Sequence, residues 1–488
     1  MIQRSDPAPT PLFDEARAEL EALSQANLAH ARRYPGEPAE RQPVHTVYGG
    51  AHLFKATTCA RLGELALASL EAHAPDAISF ARALGVTGHE ALPTDLEAGR
   101  RLMERFAREP EALRAERFEL WLPLAVHARV LAKLRREAVE DYRIDFEDGF
   151  GVRSEAEHDE AAIRAAKETA IAMRAGSLPP FFGIRIGALD EDGKARAVRT
   201  LELYLSTLVA EAGALPGTFL ITLPKVSIPE QPRALARLLA LLERRLGVAE
   251  GSLRMELMIE LNSAIVAHDG TLQVGKLVSA AEGRCHGVHF GTYDYTASCD
   301  VTAAWQSMDH PLSRFALMVM KSALSGTGVR FSDGATHVMP VPPHRGASLT
   351  EAQQRENVDA VHAAWRLAYR NVRGSLQHGY YQGWDLHPAQ LVARYAAFHA
   401  FFLEGADAAS ARLSSFLQKA AQASLVGTVF DDAASAQGLL NYFLRGLASG
   451  AVTEDELAST GLTLDELRLR SFPKILAARA ARRDGETR

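Results

Sequence analysis

Eight short apolar runs punctuate this chain, each closing on polar or glycine-rich residues and each parted from the next by sequence with helical periodicity. They cover residues 43–49, 142–146, 181–186, 218–223, 255–261, 287–291, 336–341 and 380–386. Between them lie Ala-, Leu-, Glu- and Arg-rich segments with apolar residues at helical spacing, among them 155–175, 197–212, 231–246 and 351–373. Strands alternating with helices predict an α/β fold, a parallel sheet clothed in helices. Alternation alone fits an open doubly wound sheet as well as a closed one. The count of eight favours closure into a (β/α)8 TIM barrel.

The gap between the first two runs is too long for one crossover and reads as helices over 59–70, 95–108 and 111–140, a helical insertion after strand 1 spanning about 52–141. Residues 1–41 form an N-terminal extension with a helix near 12–32, and 42–403 hold the barrel. Residues 404–488 carry helical segments at 408–423, 433–448 and 463–481 with no further strands, a C-terminal cap or arm.

Charge and cysteine usage exclude several classes. The 54 Lys and Arg are interspersed with 60 Asp and Glu for a net charge of −6, which offers nucleic acid no basic face. Cys59, Cys285 and Cys299 have neither the spacing of a zinc site nor that of a disulfide framework, and a reducing cytoplasm is expected. The first residues lack the apolar core of a signal peptide, and the most apolar helical stretch, 234–242, is interrupted by Arg237, so no membrane span is expected.

In such barrels the chemistry sits where the strands end. The second run closes on Asp145, Glu147 and Asp148, three acids just before Gly149. Acids that close repel one another, so either they are a solvated strand end or helix cap, or a cation, an arginine or a substrate uses them. Arg185 lies on the apolar third run and needs a carboxylate partner there; it either pairs with the acidic cluster or clamps a substrate carboxylate. Lys225, after Pro224, reads as a solvated strand end or a second cation. Glu260 and Asp294 close the fifth and sixth runs, on strands about 5 Å apart. Alone, each reads as a cap or ion-pair partner; together they could share one ion. Two carboxylates completed by water and substrate oxygens suit magnesium, or manganese in its place, better than zinc. His289 reads as a packed barrel histidine, and His387 as a cap joining the eighth strand to its helix.

Taken in order, these pieces resemble the citrate lyase beta subunit branch of the HpcH/HpaI aldolase superfamily. The resemblance is carried by Ile144-Asp145-Phe146-Glu147-Asp148, Ile184-Arg185-Ile186, Pro224-Lys225, Glu260, Gly291-Thr292-Tyr293-Asp294 and His387-Pro388-Ala389-Gln390. The chain departs from the family where Arg-x-Asn reads Arg185-Ile186-Gly187 and Glu-Thr-Ala reads Glu260-Leu261-Asn262, and it is longer than a typical member, as a long branch would be.

The resemblance implies a magnesium-dependent carbon–carbon lyase of the malyl-, citramalyl- or citryl-CoA type, assembled as a trimer or hexamer. It implies Glu260 and Asp294 as metal ligands. Arg185, Lys225, Gly291 and Thr292 would touch a carboxylate or acyl-CoA substrate, and Asp145, Glu147 and Asp148 would support the catalytic arginine. An aspartate beyond the barrel contributes in related lyases, and 427–432 resembles that segment, which puts Asp432, or Asp431 beside it, forward as the base, or as a plain helix cap. A pyruvate-type aldolase on a free hydroxy-oxoacid, a malate-synthase-like condensation and a non-catalytic metabolite-binding barrel are the competing readings.

Overall fold

Eight parallel strands follow one another around a closed barrel in this computed structural model, β8 returning to pair with β1. They are β1 (His45–Gly50), β2 (Asp141–Asp145), β3 (Phe181–Arg185), β4 (Phe219–Leu223), β5 (Arg254–Ile259), β6 (Cys285–Phe290), β7 (Arg330–Ala335) and β8 (Gln382–Asp385). The structure describes residues 12–486 except 14, 15, 37, 39, 419–423, 427, 428 and 432. Asp432, the expected base, therefore lies outside the described residues. Among those described, no helix is long and apolar enough to cross a membrane.

The helices start where side chains can satisfy their first free amides. Ser154 and Glu157 form a capping box ahead of Glu155–Ala175, and Thr350 with Gln353 does the same for Glu351–Gln377. Gly176 ends the first of these in a left-handed turn at φ 63°, which only glycine adopts without cost.

The seventh strand is a correction. The run at 336–341 is the loop that follows β7, and the strand itself is Arg330–Ala335. Its residues Ser332, Asp333 and Gly334 are polar or small although buried, so the strand does not read as apolar, while Val338 and Met339 are exposed. Gln390 holds that loop: its Nε2 donates to Thr336 O at 2.7 Å and its Oε1 accepts from Leu386 N at 2.7 Å. The His-Pro-x-Gln signature is thus a clasp between the ends of β7 and β8, with His387 Nδ1 accepting from Ala389 N at 3.2 Å.

The insertion folds as Thr58–His73, Ala77–Leu84, Leu96–Arg108, Pro110–Glu116 and Phe118–Glu137. A second correction concerns the C-terminal region, which was expected to lack strands. Ser424–Val426 pairs antiparallel with Val429–Asp431. The helix Gln390–Gln418 runs unbroken out of the barrel, and Ala433–Ala448 packs under it. These helices meet the insertion at the N-terminal end of the strands. Tyr395 Oη donates to Ala138 O at 2.8 Å, Arg129 Nη1 to Ala451 O at 2.6 Å, and Arg445 pairs with Gln42 just ahead of β1.

The barrel axis is filled with charge instead of aliphatic layers. Arg143 of β2, wholly buried, bonds Asp141 and spans to Glu256 of β5, where Nη2 lies 2.8 Å from Oε2. Glu256 Oε1 stands 3.3 Å from His289 Nε2, and His289 Nδ1 is 3.1 Å from the Tyr48 hydroxyl. A buried guanidinium is tolerable only when carboxylates meet it with good geometry, and here two do.

Candidate active site at the barrel mouth

The C-terminal ends of β2 to β6 deliver their side chains to one cluster. Asp145 takes Arg185 in a two-pronged ion pair, Nε to Oδ1 at 2.7 Å and Nη2 to Oδ2 at 2.5 Å, and also accepts from the backbone of Glu147 and Gly149. Its acceptor sites are filled, so it acts as a support. Arg185 keeps Nη1 for Glu147 Oε2 at 3.1 Å, with Asp148 Oδ2 farther off at 3.8 Å. Arg143 turns down the axis to Glu256 and does not join this group.

Lys225 is no solvated strand end. Its ammonium lies 2.8 Å from Asp294 Oδ1, 3.4 Å from Asp148 Oδ2, 3.6 Å from Glu260 Oε2 and 3.7 Å from Glu147 Oε1. Its backbone has φ 51°, in the left-handed region that a side chain adopts only at a cost. Glu260 and Asp294 therefore converge on a single cation at the mouth. Glu260 is fully buried and its Oε2 has no hydrogen-bond donor among the described residues. Gly291 makes room for it, since a Cβ there would stand 2.5 Å from Glu260 Cβ and 2.7 Å from Oε2.

Five carboxylates, Asp145, Glu147, Asp148, Glu260 and Asp294, face two cations, Arg185 and Lys225, which leaves the mouth acidic. Burial pushes the Glu147 carboxyl up to about 7, with Asp148 adding to the rise and Arg185 and Lys225 opposing it. Burial raises Glu260 as well, Lys225 pulling it down and Asp294 up. On Asp148 burial works upward too, but Lys225 and Arg185 bring it below the usual range. Burial would lower Lys225, yet Glu260 and Glu147 hold it above its ordinary value, so it stays an ammonium.

A divalent cation fits this donor set. The orphaned Glu260 Oε2, the negative excess and an all-oxygen environment suit magnesium. Among the described residues no three or more His, Cys, Asp or Glu side chains are arranged as a metal cage. Two carboxylates leaving the remaining positions to water and substrate is how magnesium is commonly held.

Two aromatic residues of the mouth escaped the sequence reading. Tyr48 of β1 lies between the Arg185 guanidinium, 5.0 Å from its ring centre, and the Trp384 ring of β8, 4.7 Å away. Both sit inside predicted runs, and period-two alternation from Thr46 and Gln382 aims them at the axis. Thr292, next to Gly291, is buried with its Oγ1 against Gly334 of β7. Beside the cluster, a cavity of about 340 Å³ opens between the loops after β2 and β3, lined by Glu147, Asp148, Gly187, Arg196 and Thr200 among others.

Fold and site together define a (β/α)8 barrel with an acidic C-terminal mouth. The family model for DUF6986, a domain of unknown function, matches residues 23–475, and the chain belongs to that family. No curated protein matches the sequence. Among solved structures, a citrate lyase from Burkholderia xenovorans LB400 is similar at 20% identity and a TM-score of 0.48, over 70% of this chain and 93% of that one. The protein CitE from Mycobacterium tuberculosis, in complex with magnesium, acetoacetate and coenzyme A, aligns at 16% identity and 0.43, over 66% and 94%. The magnesium/glyoxylate complex of Haloferax volcanii malate synthase aligns at 17% identity and 0.41, over 56% and 70%.

Proposed function

We propose that this chain is a magnesium-dependent carbon–carbon lyase that splits a carboxylated 3-hydroxyacyl thioester into an oxo acid and a shorter acyl thioester, or joins them in reverse. The observation that carries the reading is the convergence of Glu260 and Asp294, from successive strands, on the one ammonium of Lys225 at the mouth. These two carboxylates would hold the ion. When bound, magnesium supplies a Lewis acid that draws electron density from the carbonyl oxygen of the oxo acid.

The chain's own residues do the rest. A base takes the hydroxyl proton, the carbon–carbon bond breaks, and its electron pair passes to the thioester side as an enolate that is then protonated. Arg185, fixed by Asp145, has Nη1 as its exchangeable donor and can trade Glu147 for a substrate oxygen that gains charge. Glu147, pushed up to about 7, can hold or release a proton near neutrality at Oε2. Under this reading the base is Asp432, which lies outside the described residues. Lys225 neutralises Asp294 and Asp148 until a substrate carboxylate arrives. The cavity beside Glu147 and Asp148 offers room for the part of a thioester beyond its reacting head.

Cleavage assays with malyl-, citramalyl- and citryl-CoA against the matching free hydroxy-oxoacids, with magnesium and with a chelator, test the reading. Turnover of thioesters that the chelator abolishes is expected. Turnover of free acids alone would make the protein a pyruvate-type aldolase, and magnesium binding without turnover of either would make it a metabolite-binding barrel.

A further inference from the structure

The mouth has two unlike halves. From β2 to β6 it is crowded with carboxylates, arginine and lysine. From the end of β6 through β7 and β8 to β1 it presents Thr292, Gly334, Trp384 and Tyr48, while the acids of these strands are taken up elsewhere, Asp333 by Ser375 Oγ at 2.6 Å and Asp385 by Arg394 Nε at 3.0 Å. On this neutral arc two polar groups stand idle. Thr292 Oγ1 and Trp384 Nε1 are covered from solvent and have no hydrogen-bond partner among the described residues.

The idle indole is the more telling, because a buried tryptophan N–H normally finds an acceptor. Trp365, the largest fully buried side chain, does so, donating from Nε1 to Ala389 O at 2.8 Å. Trp384 is differently placed. Its neighbour two residues back, Gln382, reaches Thr46 Oγ1 of the adjacent strand β1 at 2.9 Å inside the barrel, so alternation turns the indole inward as well. The residue is only partly buried, and its ring rests on Tyr48, 4.7 Å between centres. Tyr48 is itself fixed, its hydroxyl 3.1 Å from His289 Nδ1 and its ring beneath Arg185. Gly334, on the strand beside Trp384, makes room for Thr292, whose Oγ1 would stand 1.9 Å from a Cβ there.

We infer that Trp384 is a specificity-determining residue whose Nε1–H donates to an oxygen of the oxo acid, on the wall facing the carboxylate cluster. This rests on the proposed lyase reading and deepens it by naming the group that selects the oxo acid. Carboxylate and oxo oxygens only accept hydrogen bonds, and an indole N–H only donates, so the wall accepts an oxo acid and rejects an analogue that presents an N–H in that place. Tyr48 behind the indole keeps the donor from swinging away.

The test is binding of pyruvate to the full-length protein with magnesium present, by calorimetry, in wild type and Trp384→Phe. Phenylalanine keeps a ring on Tyr48 and removes the donor. We expect pyruvate to bind the variant about tenfold more weakly, with magnesium affinity unchanged. Equal pyruvate affinity in the folded variant overturns the inference and leaves the lyase reading intact. Should Trp384→Phe not fold, the indole N–H Raman band of the wild type decides, since it must shift when pyruvate is added; an unmoved band overturns the proposal. Wild type that binds neither magnesium nor pyruvate overturns both.

Discussion

The backbone N–H of Lys225 donates to Glu260 Oε1 at 2.7 Å, which leaves Oε2 of the same carboxylate free in the mouth. A left-handed residue, φ 51°, makes this approach. Such a conformation costs a side-chain-bearing residue about 1–2 kcal/mol, and it is kept here at the point where the proposed metal ligand is aimed.

Glu260→Gln keeps an acceptor for Lys225 N but lowers the charge offered to magnesium, and Asp294→Asn lowers that charge from the helix Thr292–Ser298 that follows β6. Each is expected to weaken magnesium binding by at least about tenfold and to abolish magnesium-dependent turnover, with the circular dichroism spectrum unchanged. Retained turnover in either variant removes the metal proposal.

Gly291→Ala places a methyl group 2.5 Å from Glu260 Cβ. Overpacking of this kind costs about 1–3 kcal/mol, and here the carboxylate has to move. Thermal melts should show a modest loss of stability. Magnesium titrations should show a larger loss of affinity, because the displaced group is the proposed ligand.

Glu147 sets a pH limb. Its pKa is raised to about 7 by burial, from an ordinary value near 4.5, so the folded state holds the proton more tightly than the unfolded chain. The contribution to stability is full below about pH 4.5 and is lost as pH rises through about 7. Glu147→Gln cannot ionise. Its melting temperature relative to wild type should be higher at pH 8 than at pH 5, and an equal difference at both would show that Glu147 does not titrate in this range.

Arg143 serves the barrel instead of the mouth. Arg143→Met leaves Asp141 and Glu256 buried without their cation, a loss of about 3–5 kcal/mol for a broken buried pair. Denaturant unfolding measures it. A cost below 1 kcal/mol would mean that the two carboxylates take up protons freely.

Most strands were legible because parallel strands buried on both faces read as apolar runs. β7 was not, since Ser332, Asp333 and Gly334 are buried without being apolar and Asp333 is satisfied locally by Ser375 Oγ at 2.6 Å. Charged strand ends pointed to Glu260, Asp294 and Arg185, because a charge after an apolar run needs a partner. Which partner it finds depends on register around the closed sheet. Asp145 therefore emerged as the grip on Arg185, and Lys225 as the ammonium among four carboxylates, only in three dimensions. Tyr48 and Trp384 carry no charge and looked like ordinary strand residues.

The ionic filling of the cylinder also governs how the chain can assemble. Arg143 and Glu256 are 113 positions apart, and neither tolerates a dry interior before the other arrives. A fragment ending after β4 would strand a guanidinium with half of its counter-charge, so splitting the gene at that point should yield pieces that stay unfolded until mixed.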